Sequence, residues 1–186
     1  IAKDVKIQVE FNPAKVQAYR LIGYENRLLR SQDFNDDTKD AGELGAGHSV
    51  TALYEVIPVG VESNVNLPGV DELRYQDNQV DEAAYNSDEL MLVKLRYKEP
   101  KGTTSELIKQ PVVDTGVSLD NASNDFKFAA AVAEYGMILR ESEYKGEANF
   151  NEVLKLANES KGLDLEGYRS EFINIVESSQ KLMEKK

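Results

Sequence analysis

The chain has 186 residues, enough for one substantial hydrophobic core or two smaller ones. It contains no cysteine, which excludes disulfides, thiolate metal sites and cysteine nucleophiles. Its 22 Lys+Arg against 33 Asp+Glu give a net charge of −11, which repels nucleic acid and anionic membrane surfaces. The longest apolar stretch, around Phe128 to Leu139, is broken by Glu134 and Gly136, so no segment is expected to insert in a bilayer.

The first half alternates with period two. Val5, Ile7, Val9 and Phe11 face one way and Lys6, Gln8 and Glu10 the other, which predicts a strand with one buried and one wet face. Asn12-Pro13 breaks the run, and Val16 to Tyr24 resumes it, so the two strands are expected to form a hairpin. Val50 to Val59 is a third strand, ended by or edged with Pro58. Leu90 to Tyr97 is a fourth, with Met91, Val93, Leu95 and Tyr97 inward, and Ser105 to Val113 a fifth, after the Pro100-Lys101-Gly102 turn. Between the third and fourth lies a polar segment, residues 60–89, expected to be mobile, ordered by a partner, or partly helical.

From about Asn121 the period becomes helical. Phe128, Ala129, Val132, Tyr135, Gly136 and Leu139 recur at three- and four-residue spacing, with Ser123 or Asn124 placed to cap the first turn. The alanines around Ala131 predict that this is the most buried helix. Asn149 with Glu152 has the capping-box spacing for a second helix. A third spans about Leu165 to Lys185, with an apolar stripe of Tyr168, Phe172, Ile175, Val176, Ser179, Leu182 and Met183. Strands first and helices after argue for an α+β fold: an antiparallel sheet or sandwich over residues 1–117, then a three-helix subdomain over residues 118–186, packed on the sheet as one unit or separate from it.

No residue set nominates a catalytic centre or a cofactor site, which points to a module that is not an enzyme. His48 is the one histidine, but it sits in Gly45-Ala46-Gly47-His48-Ser49 without a motif supplying a nucleophile or an orienting acid; a hydrolase built on it is a minor alternative. Gly42, Gly45 and Gly47 match neither phosphate-binding glycine pattern and read as a bulge or loop. The stretch from Asp33 to Asp40 places Asp33, Asn35 and Asp37 at the first three ligand positions of a calcium loop. Thr38 stands where glycine belongs and Leu44 where the bidentate glutamate belongs, so a solvated acidic loop is the plainer reading. Tyr19, Tyr24, Tyr54 and Tyr97 would serve a carbohydrate-binding sandwich if their rings faced outward, and core packing if not.

The segments Val9 to Arg27, Asp40 to Glu55 and Asp125 to Arg140 resemble the C-terminal region of bacterial von Willebrand factor type A domain proteins of the YfbK-like family. The resemblance runs over nearly the whole chain except residues 60–89. It implies a region following an A domain in an exported protein, often a lipoprotein, hence an extracytoplasmic location and a protein partner that includes the preceding A domain. The family's D-x-S-x-S adhesion motif does not occur here, so no adhesion-site residue is implied. The start at Ile1, with neither initiator Met nor signal segment, fits the same expectation of a piece of a longer polypeptide.

Overall fold

The computed structural model describes residues 1–23, 31–62 and 79–184. The chain divides into two compact units, Ile1–Thr115 and Gly116–Lys186. The first is built on antiparallel strands and the second on helices, an α+β fold.

In the first unit, β1 (Ala2–Phe11), β3 (Gly42–Leu44), β5 (Glu89–Lys98) and β6 (Glu106–Val113) form a four-stranded sheet in the order β3-β1-β5-β6, and β2 (Val16–Ile22) pairs with β4 (Leu53–Pro58) in a separate two-stranded sheet. The expected hairpin of the first two strands is therefore corrected: β1 pairs with β3 and β5, and β2 with β4. The cause is Asn12. Its carbonyl accepts the N–H groups of Lys15 and Val16, its Oδ1 accepts Ala14 N–H, and its amide donates to Ala84 O and Glu89 O, both at 2.9 Å. The turn is thus anchored to the start of β5 and directs the chain into the other sheet. Of the polar segment 60–89, residues 63–78 lie outside the described residues. Part of the remainder is helical: α1 (Glu82–Asn86), capped by the Asp81 carboxylate on Ala83 N–H.

The register of β1 against β5 shifts between Lys3↔Lys98 and Lys6↔Arg96, three steps on one strand opposing two on the other. This is a β-bulge, and Asp4 sits in it with φ of 51°, a left-handed conformation that turns its carboxylate toward Lys98. Beyond the bulge, Ile7 pairs with Leu95 and Leu95 with Ile108, so one face of the sheet carries an apolar row across three strands.

The second unit holds α2 (Asn124–Leu139), α3 (Phe150–Ser160) and α4 (Tyr168–Met183). Ser123 Oγ accepts Phe126 N–H and Asn149 Oδ1 accepts Glu152 N–H, the two caps that the sequence predicts. The core joins Ala131, Ile138, Val153, Ala157, Ile173 and Val176, flanked by Phe128, Tyr135, Phe150 and Phe172. Edge-to-face contacts of Phe172 with Phe128 and Tyr135, at 5.4 and 5.5 Å between centroids, bring α4 against α2. The small residues of α2 do not make it the most buried helix: only Ala131 and Ile138 are buried in it, against Val153, Ala157 and Ser160 in the shorter α3, which contacts both neighbours. In α4 the seam is Phe172, Ile173 and Val176. Tyr168, Ile175 and Leu182, placed in the stripe by spacing alone, are exposed.

Candidate functional site: a lysine-filled acidic loop and exposed apolar faces

Ser31–Asn35 forms a 3-10 turn that lies over the supposedly wet face of the four-stranded sheet. Lys6, on that face, is only 3% exposed, whereas Ile7, on the face expected to be buried, is 54% exposed. The acidic loop accounts for the burial of Lys6; on the other face Phe11 is buried as expected, against Tyr19 and Tyr54, and Ile7 is left uncovered. Lys6 Nζ donates to the carbonyls of Asp33 (3.1 Å) and Asp36, and Lys98 Nζ donates to Asp37 O and to Asp4 Oδ2, both at 2.7 Å. The lysine stems cross the sheet and their ammonium groups are received by the loop.

This placement decides how the calcium candidates Asp33, Asn35 and Asp37 are used. The Asp33 carbonyl takes Lys6, Asn35 Oδ1 accepts from Arg96 at 3.1 Å, and Asp37 Oδ2 accepts Ser105 N–H at 3.2 Å. The loop does surround positive charge with oxygen, but the charge belongs to side chains of β1 and β5. Among the described residues no group of three or more histidine or acidic side chains is placed to share a metal ion. Arg96 lies over the buried Phe34 ring, 5.6 Å from its centroid, and donates to Ser105 Oγ at 2.9 Å. Asp37 Oδ1 and Arg96 Nε, each on a group whose other end meets Ser105, are buried without a hydrogen-bond partner among the described residues.

The electrostatics follow from these bonds. The hydrogen bond from Lys98 holds the Asp4 carboxyl below its ordinary range, and the same bond raises the Lys98 ammonium. Asp36 is lowered by Thr38, which donates both its hydroxyl and its N–H, and Asp37 by Ser105. The pattern belongs to a latch that holds loop to sheet. Carboxylates lowered in this way stay charged at neutral pH, as a latch between loop and sheet requires.

His48 lies exposed on a turn, its N–H bonded to Gly45 O at 3.3 Å, and a Cβ at Gly45 would stand 2.8 Å from the imidazole Cδ2. Gly45 is thus needed for the ring to fold over the backbone. Gly47 has φ of 76°, as a turn glycine does. The tyrosines do not share one platform. Tyr19 and Tyr54 pack on Phe11, at 4.2 and 5.5 Å, while Tyr97 donates to Glu106. Met91, which pairs with Phe11, is six residues from Tyr97, about 20 Å along β5. Tyr24 lies outside the described residues. A cleft of about 340 Å³ opens beside Phe11, Pro13, Ala83, Ala84 and Met91, but the Asn12 amide at its wall is committed to backbone partners.

Among the described residues, two groups of exposed apolar side chains stand out. One is the sheet row, with Ile7 54% and Ile108 49% exposed on either side of Leu95. The other is the loop between α3 and α4, where Leu163 and Leu165 are 90% and 88% exposed. Neither shows in periodicity: Ile7 reads as core, and Leu165 reads as the start of the last helix, which begins instead at Tyr168 and leaves both leucines in a short connection.

Residues 1–182 match a family model described as "Uncharacterized protein YfbK, C-terminal". The chain is 42% identical over 177 residues to the uncharacterized protein YfbK of Escherichia coli (strain K12), an alignment covering 95% of this chain and 29% of that protein. No solved structure matches.

Proposed function

The chain belongs to the YfbK C-terminal family, and from that premise we propose that it is a non-catalytic accessory module that binds protein, attached to a von Willebrand A-type domain in a cell-envelope protein. The observation that carries this reading is the apolar row Ile7–Leu95–Ile108, with isoleucines exposed at both ends on a sheet whose opposite face is closed by the lysine latch. Exposed apolar side chains aligned over neighbouring strands are a docking feature. The partner is the segment preceding the matched region in the longer proteins of the family. The family model is described as the C-terminal part and the match takes 29% of the E. coli relative, so most of that protein's length is available to cover the row. The sequence resemblance supplies the A domain and the envelope location.

The test is a calorimetric titration of residues 1–186 with the preceding segment of the E. coli relative. Binding is expected, and Ile7→Ser with Ile108→Ser should weaken it at least tenfold with only a modest fall in melting temperature, since about half of each side chain is already exposed. A flat titration, or an affinity indifferent to the two substitutions, would rule the reading out.

A further inference from the structure

The α3–α4 connection is short and tightly determined. Gly162 and Gly167 have φ of 65° and 77°, and Asp164, a residue with a Cβ, is held at φ of 45°. Asp164 tolerates that conformation because both of its carboxylate oxygens are used: Oδ1 accepts Arg169 N–H at 3.0 Å, and Oδ2 accepts Ser170 N–H at 2.8 Å and Ser170 Oγ at 2.6 Å. It caps α4 from outside, where Gly167 at the N-cap position supplies no side chain. Arg169 closes the base, donating to Ser160 O (2.9 Å), Lys161 O (3.3 Å) and the Asp125 carboxylate, with its guanidinium over Phe128, 4.8 Å from the ring centroid.

This scaffold presents Leu163 and Leu165 almost wholly to solvent, with Tyr168, 73% exposed, beside them along an open cleft of about 540 Å³. Two leucines on a floppy loop would fold back onto the helices. Here three left-handed positions and a doubly bonded carboxylate prevent it, and the backbone strain is stored in a loop that buries none of its large apolar side chains. A preorganised apolar tip of this kind loses little entropy on docking.

We propose that Leu163, Leu165 and Tyr168 form a second docking element for the segment that precedes this region in the longer family proteins. The inference rests on the accessory-module reading and extends it from the sheet unit to the helical unit. The occupant follows from two facts. Most of the E. coli relative lies outside the match, and the matched part is its C-terminal one. A second copy is disfavoured because two chains of net charge −11 repel; the charges around the tip are already balanced, Asp125 by Arg169 and Asp164 by its hydrogen bonds, with Lys161 beside Glu166, so the apolar side chains carry the contact.

Hydrogen–deuterium exchange tests it on residues 1–186 alone and on the same residues replacing the matched region of the full-length E. coli relative. Amides of residues 162–166 should exchange at least tenfold more slowly in the full-length protein, and Leu163→Ser with Leu165→Ser should restore the fast rate while α2 and α4 keep theirs. Equal rates in both proteins would overturn the inference. If the loop stays fast while residues 5–9 and 106–109 slow, the loop inference fails and the accessory reading stands; if nothing slows, both fail. A dimer of the isolated chain that protects the loop and is lost in the double variant would assign the surface to a second copy and overturn the inference.

Discussion

Lys6 is the residue on which the first unit turns. Its stem is buried between sheet and loop, and its ammonium satisfies the carbonyls of Asp33 and Asp36. Lys6→Met keeps the stem volume and removes the donor, leaving two carbonyls facing an apolar thioether. A hydrogen bond to a charged group contributes about 1.5–3 kcal/mol, so the variant should lose about 2–4 kcal/mol in urea unfolding followed by tyrosine near-ultraviolet signals. A loss under about 0.5 kcal/mol would mean that the loop finds water as readily as lysine. The same residue shows how the candidate site was legible in part. The acidic stretch from Asp33 to Asp40 advertises oxygen around positive charge, which is what the loop does. Sequence spacing could not reveal that the charge arrives from Lys6 and Lys98, which lie 27 and 61 positions from the carbonyls of Asp33 and Asp37.

At the scale of elements, local signals succeeded and pairings failed. The caps at Ser123 and Asn149 and the end of β4 at Pro58 depend on a few adjacent residues, and all three are found. The partners of β1 are β3 and β5, and its pairs with β5 run from Phe11↔Met91 to Lys3↔Lys98, far along the chain, so nothing around Asn12-Pro13 distinguishes a hairpin from a change of sheet. Alternation in β1 correctly assigns Ile7 and Lys6 to opposite faces, yet which face is dry depends on what covers it, a tertiary fact. The start of α4 was also hidden, because its cap comes from Asp164, three residues ahead of the N-cap glycine. Asp164→Ala removes three acceptor contacts and leaves an alanine at positive φ, whereas Ser123→Ala removes one cap, at about 1 kcal/mol. Asp164→Ala should therefore lower the melting temperature of the helical signal at 222 nm more than Ser123→Ala does, with loss of α4 helicity. Equal effects would show that the α4 start is held by packing of Phe172 and Ile173 rather than by the carboxylate.

For the molecule as a whole, the charge excess and the bound carboxylates act in opposite directions as pH falls. At neutral pH the net charge of −11 opposes compaction, and burial together with the nearby Glu152 charge raises the Glu134 carboxyl above its ordinary 4.5. As pH falls toward the raised folded value of Glu134, the folded form takes up that proton before the unfolded form does, so stability holds or rises slightly until the other carboxylates begin to protonate. Asp4, Asp36, Asp37 and Asp164 act the other way. Each is lowered from 3.8 by its hydrogen bonds, to Lys98, Thr38, Ser105 and Ser170 respectively. Their contribution is present above the unfolded value and is lost as pH falls through the lower folded values, so stability should drop steeply below about pH 4. Asp4→Asn should lower stability at pH 7 and make the acid limb shallower, because one of the protons taken up on unfolding is gone. Urea midpoints at pH 7, 5 and 3 decide the matter: parallel acid limbs for the two proteins would show that the Asp4–Lys98 pair does not stabilise the fold, and a maximum at pH 7 or above would show that repulsion among the excess acids is too weak to matter.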